Sequence, residues 1–287
     1  MNHPTARARS WCASARPIWK LSWQRVRGHD VIVLAAAMAF FSALAVVPLL
    51  VVAVRLSALV LTDARVQELA ARMGEALPAG LGAPAVVSTV VDAGLNVSVL
   101  GAVLAVVPVT VYGEGLRRVL LRLQGPGAAD RDPGTSWRGR ASVVPLVLAT
   151  PLLLVLLLWG AGLVADLQDR GGGGSTVLAV VVGYYTVLVV LLFPVGWTFR
   201  VVAAGRLRVR PLLVGAFLTA ASLAGFCQGL VIFLALPLDL GAPLGGLTVV
   251  GGALASGLWL FLLHLVLLLG FALTLALQQQ WHPGARR

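Results

Sequence analysis

Charged residues are scarce in this chain, and long stretches of it have none. Only 11% of the 287 residues are Asp, Glu, Lys or Arg and 59% are hydrophobic, whereas soluble globular domains carry about 25% charged residues. The charge-free stretches are 31–54, 93–113, 141–165, 171–199, 211–238 and 240–285. Because a helix of about 20 apolar residues crosses the roughly 30 Å hydrocarbon core of a bilayer, this pattern excludes a soluble globular protein. It predicts an all-α, polytopic membrane protein with six transmembrane helices.

The predicted spans divide the chain into a membrane domain and two short tails. We place a basic cytoplasmic tail at 1–30, the transmembrane domain at 31–277 and a second cytoplasmic tail at 278–287. The predicted spans are 31–54, 93–113, 141–165, 175–199, 211–238 and 247–277. The four glycines at 171–174 lack the Lys-Ser/Thr of a phosphate-binding loop, so they are interpreted as a flexible hairpin.

The few charges are sorted by sign along the chain. In the seven segments outside and between the charge-free stretches, the net charges run +5, −1, +3, −1, +4, −1 and +2. Basic segments stay on the cytoplasmic side of a membrane. Both termini and the loops 114–140 and 200–210 are therefore expected in the cytoplasm. The segments 55–92 and 166–170 and the turn at Asp239 are expected outside.

Two segments beyond the spans have the pattern of an amphipathic helix. Trp19, Lys20 and Trp23 lie in a basic stretch with tryptophans at helical spacing, which is typical of an interfacial helix among lipid headgroups. We therefore expect the lipid bilayer and its anionic headgroups as partners, and no nucleic acid, because the basic residues form no continuous face. Between 63 and 77, an apolar stripe opposite paired charges predicts an extracytoplasmic amphipathic helix, on the membrane surface or over the bundle mouth.

Cysteine and histidine are also scarce, which limits the available chemistry. The two cysteines, Cys12 and Cys227, fall in different environments, so neither a disulfide nor a metal site is predicted. No two of the four histidines stand at metal-ligand spacing, and no nucleophile has a base placed beside it. The chain is therefore expected to be no enzyme and to hold no cofactor.

Inside the spans, His264 and Gln228 are the polar residues that lie deepest. Proton- and ion-coupled transporters usually place an ionisable group at mid-membrane, and His264 is the candidate here. It is interpreted either as a proton relay or substrate contact, or as a neutral histidine bonded to a carbonyl of a neighbouring helix. A direct bond between His264 and Gln228 requires a shifted helix start, because their expected depths differ by roughly 10 Å at 1.5 Å per residue.

Prolines and two outer polar residues complete the candidate substrate pathway. Each proline within a helix removes a backbone hydrogen bond and favours a kink that can line a cavity. Asp92 and Asn96 share a face at the predicted start of the second span, where they either cap the helix or bind a solute. The proline candidates are Pro48, Pro108 and Pro194, and Pro145 and Pro151 also lie within a span.

Small residues recur at four-residue spacing in the last two spans. They are Ala221, Gly225 and Gly229 in the fifth span and Gly251, Gly252, Ala255 and Ser256 in the sixth. Small residues at this spacing let membrane helices approach closely. We interpret them as packing surfaces within the bundle, and a homo-oligomer seam is the alternative.

The first span and the last third of the chain share a set of aromatic, proline and glycine positions, which are Phe40, Phe41, Pro48, Gly215, Trp259 and Gly270. In these positions the chain resembles the YihY/BrkB family of bacterial inner-membrane proteins. The chain departs from the family at Ala272, where glutamate is expected, and in its two phenylalanines, where tyrosine is common. The resemblance implies six spans, two cytoplasmic ends and an envelope-related role. Relatives were once labelled a ribonuclease, and nothing in these residues supports that activity.

These observations favour a permease-like transporter or a lipid- or amphiphile-handling protein of the bacterial cytoplasmic membrane. A Lys-poor composition rich in Arg, Ala, Val, Gly and Leu is typical of a high-GC bacterium. The alternative is a non-transporting protein of envelope integrity or a scaffold, which would use the 63–77 helix and the basic loops. A membrane-associated ribonuclease is the remote alternative.

The expected orientation is tested by reporter fusions. Alkaline phosphatase, which folds only outside the cytoplasm, is expected to be inactive when fused after Arg287 and active when fused after Gly172, because basic flanks are retained inside. Activity is measured on intact cells and normalised to fusion abundance on an immunoblot. Phosphatase activity after Arg287 would overturn the orientation.

Overall fold

The part of the chain that the structure describes contains eight α-helices with the bounds given below, one π-helical turn, and helical residues at 20–24 and 26–27. This computed structural model describes residues 20–24, 26–76, 83–125, 128, 135–204, 207–236 and 246–281. The α-helices are α1 (Val31–Ser57), α2 (Asp63–Ala76), α3 (Ala83–Asn96), α4 (Val99–Gln124), α5 (Thr135–Asp169), α6 (Gly173–Trp197), α7 (Val209–Ala235) and α8 (Thr248–Trp281). The π-helical turn, Thr198–Val202, follows α6. Within these described ranges there is no β-strand, which confirms the predicted all-α class.

Six of these helices are long and apolar enough to cross a membrane, as the sequence predicts. They are α1, α4, α5, α6, α7 and α8. Each packs against the next in this order, and α8 packs back against α1, so the six form a closed ring. We call the end where α1 begins and α8 ends the basic end. The opposite end, where α2 and α3 pack, is called the distal end.

The second span begins later than the sequence suggests. The predicted span starts at 93, whereas α3 ends at Asn96 and α4 begins at Val99. Ser98 caps α4, because its side-chain oxygen accepts a hydrogen bond of 3.1 Å from the backbone N–H of Gly101. Asp92 therefore belongs to the distal helix α3 and not to the membrane span.

The amphipathic helix predicted at 63–77 is present as α2. Val66, Leu69 and Ala70 are buried on its apolar face, and the helix packs against α3 and α5. Burial of this face against protein removes apolar surface from water. The sequence analysis placed this helix either on the membrane surface or over the bundle mouth. In the structure it lies over the end of the bundle.

A close helix crossing joins α7 to α8 through two glycines and two threonines. A Cβ atom added to Gly215 would lie 2.7 Å from Thr274 Cβ, and one added to Gly270 would lie 2.8 Å from Thr219 Cβ. Each threonine hydroxyl donates to the glycine carbonyl four residues earlier in its own helix, Thr219 to Gly215 at 2.7 Å and Thr274 to Gly270 at 2.8 Å. Because the hydroxyls are satisfied locally, the threonine side chains pack into the space left by the facing glycines.

The small residues that the sequence analysis singled out do not form this crossing. Among the described residues, nothing lies within 4 Å of a Cβ added to Gly225 or Gly252. The prediction that these two glycines form a packing surface within the bundle is therefore wrong. Gly229 does face a neighbouring helix, because a Cβ there would contact the Trp259 ring of α8 at 3.7 Å. Spacing alone identifies a small-residue face but not the face that meets a neighbour.

The close packing at the α7–α8 crossing predicts how a glycine substitution there changes the stability of the protein. Gly270→Ala should lower the free energy of unfolding by about 1–3 kcal/mol, the usual cost of overpacking, because the new methyl group overlaps Thr219. Gly252→Ala is the matched control on the same helix, and it should leave stability unchanged or raise it slightly because its surroundings are open. Thermal unfolding of the purified protein in detergent measures both. Equal melting temperatures for the two variants would contradict this packing.

Candidate functional site

A cleft of about 150 Å³ lies between α5, α6 and α7 toward the distal end, and α2 contributes to its wall. Most of its surface is apolar. Gln228 of α7, Thr186 of α6 and Gln168 of α5 supply the polar side chains. Its apolar lining includes Met73, Leu157, Ala161, Val164, Val180, Val187 and Val231.

Glycines on two helices shape this cleft. A Cβ added to Gly160 of α5 would lie 2.9 Å from Thr186 Cβ, so α5 and α6 pack closely there. A Cβ on Gly183 of α6 would lie 3.6 Å from the side-chain oxygen of Gln228, which is ordinary van der Waals contact. The Gln228 amide therefore lies over the Gly183 backbone and presents a polar group to the cleft. Polar groups placed in this way orient a bound molecule in a mostly apolar pocket.

The structure separates the predicted pathway residues rather than bringing them together. Gln228 lines the described cleft, but His264 and Pro48 are not among its lining residues, and neither are Pro108 and Pro194. Each of these three prolines lies inside a continuous helix.

The outer pair, Asp92 and Asn96, is exposed on α3. The Asn96 side-chain amide donates to the backbone carbonyl of Asp92 at 2.8 Å. This bond satisfies a carbonyl near the end of α3. The two residues do not cap the second span, because Ser98 caps it.

His264 instead pairs with Tyr112 in the interior of the bundle. The two residues, on α8 and α4, are 3.0 Å apart between the Tyr112 hydroxyl and His264 Nε2, and His264 Nδ1 lies 2.8 Å from the carbonyl of Leu260. A carbonyl only accepts, so Nδ1 carries the proton and Nε2 accepts from the Tyr112 hydroxyl. The carbonyl that His264 binds belongs to its own helix α8 and not to a neighbouring helix, as one of the two interpretations expected. The neighbouring helix α4 supplies the Tyr112 hydroxyl instead.

Tyr112 is a residue that sequence reasoning missed as a site candidate. It is 152 positions from His264, so no local spacing connects them. The rings meet edge to face with centroids 5.8 Å apart. Both ring nitrogens of His264 are occupied in this arrangement, so His264 makes no bond with Gln228.

At the basic end, two α4 side chains bind backbone carbonyls of the turn after α6. Arg117, which is only 5% exposed, donates to the carbonyls of Val201 at 3.2 Å and Val202 at 2.9 Å. The Gln124 side chain donates to the carbonyl of Ala203. These carbonyls lie at the end of the π-helical turn, where the Val201 carbonyl also accepts from the backbone N–H of Ala204 at 3.1 Å. Arg117 therefore connects α4 to the turn after α6.

Glu114 of α4 pairs with one arginine of its own helix and with one of α5. One of its carboxylate oxygens accepts from Arg118, four residues on, and the other accepts from Arg140 of α5 at 2.8 Å. The Glu114 side chain is 13% exposed, whereas those of Arg118 and Arg140 are 57% and 52% exposed. A Cβ on Gly139 would lie 2.8 Å from Glu114 Cα, which explains how α5 approaches closely enough for this contact.

A similar trio lies on α2 at the distal end. Glu68 accepts from Arg65 at 2.5 Å and from Arg72 at 3.2 Å. The hydrogen bond from Arg65, and then its charge, hold the pKa of Glu68 below its ordinary value. Both pairs are exposed, so they contribute little to stability. The Arg72 side chain also reaches α5, because its Cδ would lie 3.6 Å from a Cβ added to Gly162.

The residues that carry the family resemblance have structural roles at helix contacts or on the outer surface. Gly215 and Gly270 form the α7–α8 crossing. Trp259 donates from its indole N–H to the carbonyl of Phe226 at 3.0 Å, which joins α8 to α7 toward the distal end. Phe40 is 63% exposed, and Phe41 packs edge to face against it with a centroid distance of 5.9 Å.

Two of the three residues assigned to the lipid interface fall in the described structure. Lys20 is exposed, and Trp23 is 44% exposed, with the Arg27 guanidinium 5.4 Å above its ring. An exposed tryptophan beside basic residues is typical of the headgroup region. The third residue, Trp19, lies outside the described residues. Over the described ranges, no group of three His, Cys, Asp or Glu side chains is close enough to hold a metal ion.

The hydrogen bond between Tyr112 and His264 predicts a measurable loss of stability when the tyrosine hydroxyl is removed. Tyr112→Phe should lower the free energy of unfolding by about 0.6 kcal/mol, and by no more than about 1.7 kcal/mol, the range for interhelical hydrogen bonds in membranes. Tyr185→Phe is the control, because Tyr185 is 58% exposed. Thermal unfolding in detergent checks both changes. If Tyr112→Phe is as stable as Tyr185→Phe, the bond does not connect α4 to α8.

Comparison with known protein families finds one family whose model matches nearly the whole chain. Residues 22–287 match the family described as virulence factor BrkB. No curated protein and no solved structure shows a significant match. The match agrees with the six long apolar helices and with the YihY/BrkB resemblance of the first and last spans. The chain is thus a multi-pass membrane protein that belongs to the BrkB family.

Proposed function

We propose that this chain is a permease-like or lipid-handling protein that binds an amphiphile in the cleft between α5, α6 and α7. The observation that carries the proposal is the composition of the cleft, which is largely apolar and holds an amide, Gln228, at its wall. An apolar pocket with a few placed polar groups is the usual form of a site for a small organic molecule. The proposal assigns no catalytic step to the chain.

The size of the cleft fits a segment of an acyl chain. Its volume is about 150 Å³, and an apolar cavity of about that volume binds one benzene molecule. The cleft therefore accommodates roughly six carbon atoms. Membrane amphiphiles supply such segments at high local concentration, because they form the surrounding bilayer.

The chemistry of the lining favours an amphiphile over an inorganic ion. No Asp, Glu, Lys or Arg is found among the residues that line the cleft. An ion that leaves water needs several oxygen ligands or a counter-charge, because its desolvation is costly. The three polar side chains, two of which are amides, suit a ligand with a neutral polar group next to an apolar chain better than they suit an ion.

The exposed charged face of α2 favours a second candidate function, a scaffold for envelope integrity without transport. Arg65, Glu68 and Arg72 line this face at the distal end, and they are about half exposed. A partner that binds there would contact charge and not the cleft. The two functions are separated by whether filling the cleft abolishes activity.

The test fills the cleft from one position. Gly183→Leu should reduce photo-crosslinking to a phospholipid with a diazirine at mid-chain, and lipid exchange in proteoliposomes, by about ten-fold, because it excludes roughly two methylene groups worth ~0.8 kcal/mol each. Gly183→Ala is the matched control and should retain both activities, since its Cβ makes only ordinary contacts.

Two results would contradict the amphiphile proposal. One is a wild-type protein that neither crosslinks to the lipid nor exchanges it. The other is a Gly183→Leu variant with wild-type activity and an unchanged melting temperature.

A further inference from the structure

A pair of arginines, Arg118 of α4 and Arg140 of α5, is held side by side at the basic end. Both guanidiniums bind the same carboxylate, Glu114, one at each oxygen. Both remain more than half exposed while Glu114 is 13% exposed. Two cations and one anion leave this trio with a net charge of +1. The carboxylate fixes the positions of the two guanidiniums and leaves much of each accessible.

Arg118 continues the outer face of α4 that carries its exposed apolar side chains. It follows Val107 by 11 residues, about three helical turns, and Arg122 follows Leu104 by 18 residues, about five turns. Val107 is 53% and Leu104 is 60% exposed, and Arg122 is exposed. In a membrane span, an exposed apolar face is the face that contacts lipid. Arg118 and Arg122 therefore lie where this lipid-facing stripe meets the headgroups.

The neighbouring helix α5 has the same arrangement. Trp137 is 69% exposed and precedes Leu148, which is 65% exposed, by 11 residues, again about three turns. Leu152, 72% exposed, extends this stripe by one further turn. Tryptophan is enriched at the level of the lipid headgroups. Trp137 thus marks the headgroup level of α5, three residues before Arg140.

We propose that the groove between α4 and α5 at the basic end binds the phosphate of an anionic phospholipid, with Arg118 and Arg140 as its ligands and Trp137 beside the glycerol. Two guanidinium planes match phosphate oxygens as forked donors. The acyl chains of the same lipid lie along Val107 and Leu148. The four chain segments at this end carry net charges of +5, +3, +4 and +2, which favours an anionic over a zwitterionic headgroup.

This site is separate from the cleft, which lies toward the distal end and holds none of these residues. It acts at the membrane surface and does not require that the cleft moves a lipid. The chain also supplies a matched control, because Arg65 and Arg72 share Glu68 in the same way at the opposite end. There the trio lies on α2, outside the membrane spans.

The experiment measures lipid binding by native mass spectrometry of the detergent-solubilised protein with added dioleoylphosphatidylglycerol or dioleoylphosphatidylcholine. The wild type should bind the anionic lipid preferentially. Arg118→Gln with Arg140→Gln should weaken that binding roughly 30-fold, because each arginine near a membrane surface contributes about a five-fold factor. Arg65→Gln with Arg72→Gln should bind as the wild type does. Equal binding by the two double variants would overturn the proposal.

Two further measurements complete the test: a lysine double variant and competition with a soluble phosphate. If the glutamine pair is not monodisperse, Arg118→Lys with Arg140→Lys keeps the charge and loses the forked geometry, and it should bind several-fold more weakly. Unchanged affinity of the lysine pair would then overturn the site. Glycerol phosphate at millimolar concentration should not displace the lipid, and full displacement would show a site for a soluble phosphate.

Discussion

The close approach of α7 and α8 at two glycine–threonine contacts is the constraint on which the bundle depends. Lipid tails are as apolar as the helices, so no hydrophobic force brings two spans together, and close packing must do so. Gly215 and Gly270 leave space for Thr274 and Thr219, whose hydroxyls are satisfied within their own helices. All the polar groups at this crossing therefore have partners before the helices meet.

This crossing joins α8 to α7, and the packing of α8 against α1 then closes the ring of six spans. Since α8 also packs against α1, its position brings His264 to Tyr112 of α4. The basic end is closed by Arg117 on the carbonyls of Val201 and Val202. Toward the distal end, α5, α6 and α7 leave the cleft with Gln228 in its wall. One end of the bundle is held by polar bonds, and the other has room for a ligand.

Local patterns in the sequence predicted the elements well and the contacts poorly. The absence of charge located six spans, and the stripe at Val66, Leu69 and Ala70 located α2, because both depend only on nearby residues. The pair Glu114–Arg118 is also local. The start of α4 was misplaced because the charge-free stretch contains the end of α3 at Asn96 as well. Gly225 shows the same limit, since a repeat of small residues does not specify its neighbour.

The sequence by itself determined the number of spans, the helical class and the separation of charge between the two ends, because each follows from the cost of placing charge and unpaired backbone in hydrocarbon. The tertiary structure alone decided which polar residues meet. Tyr112 and His264 are 152 positions apart. Glu114 of α4 meets Arg140 of α5 only because these two helices pack together. Such contacts depend on which helix faces pack together, and packing depends on the shapes of side chains distant in the chain.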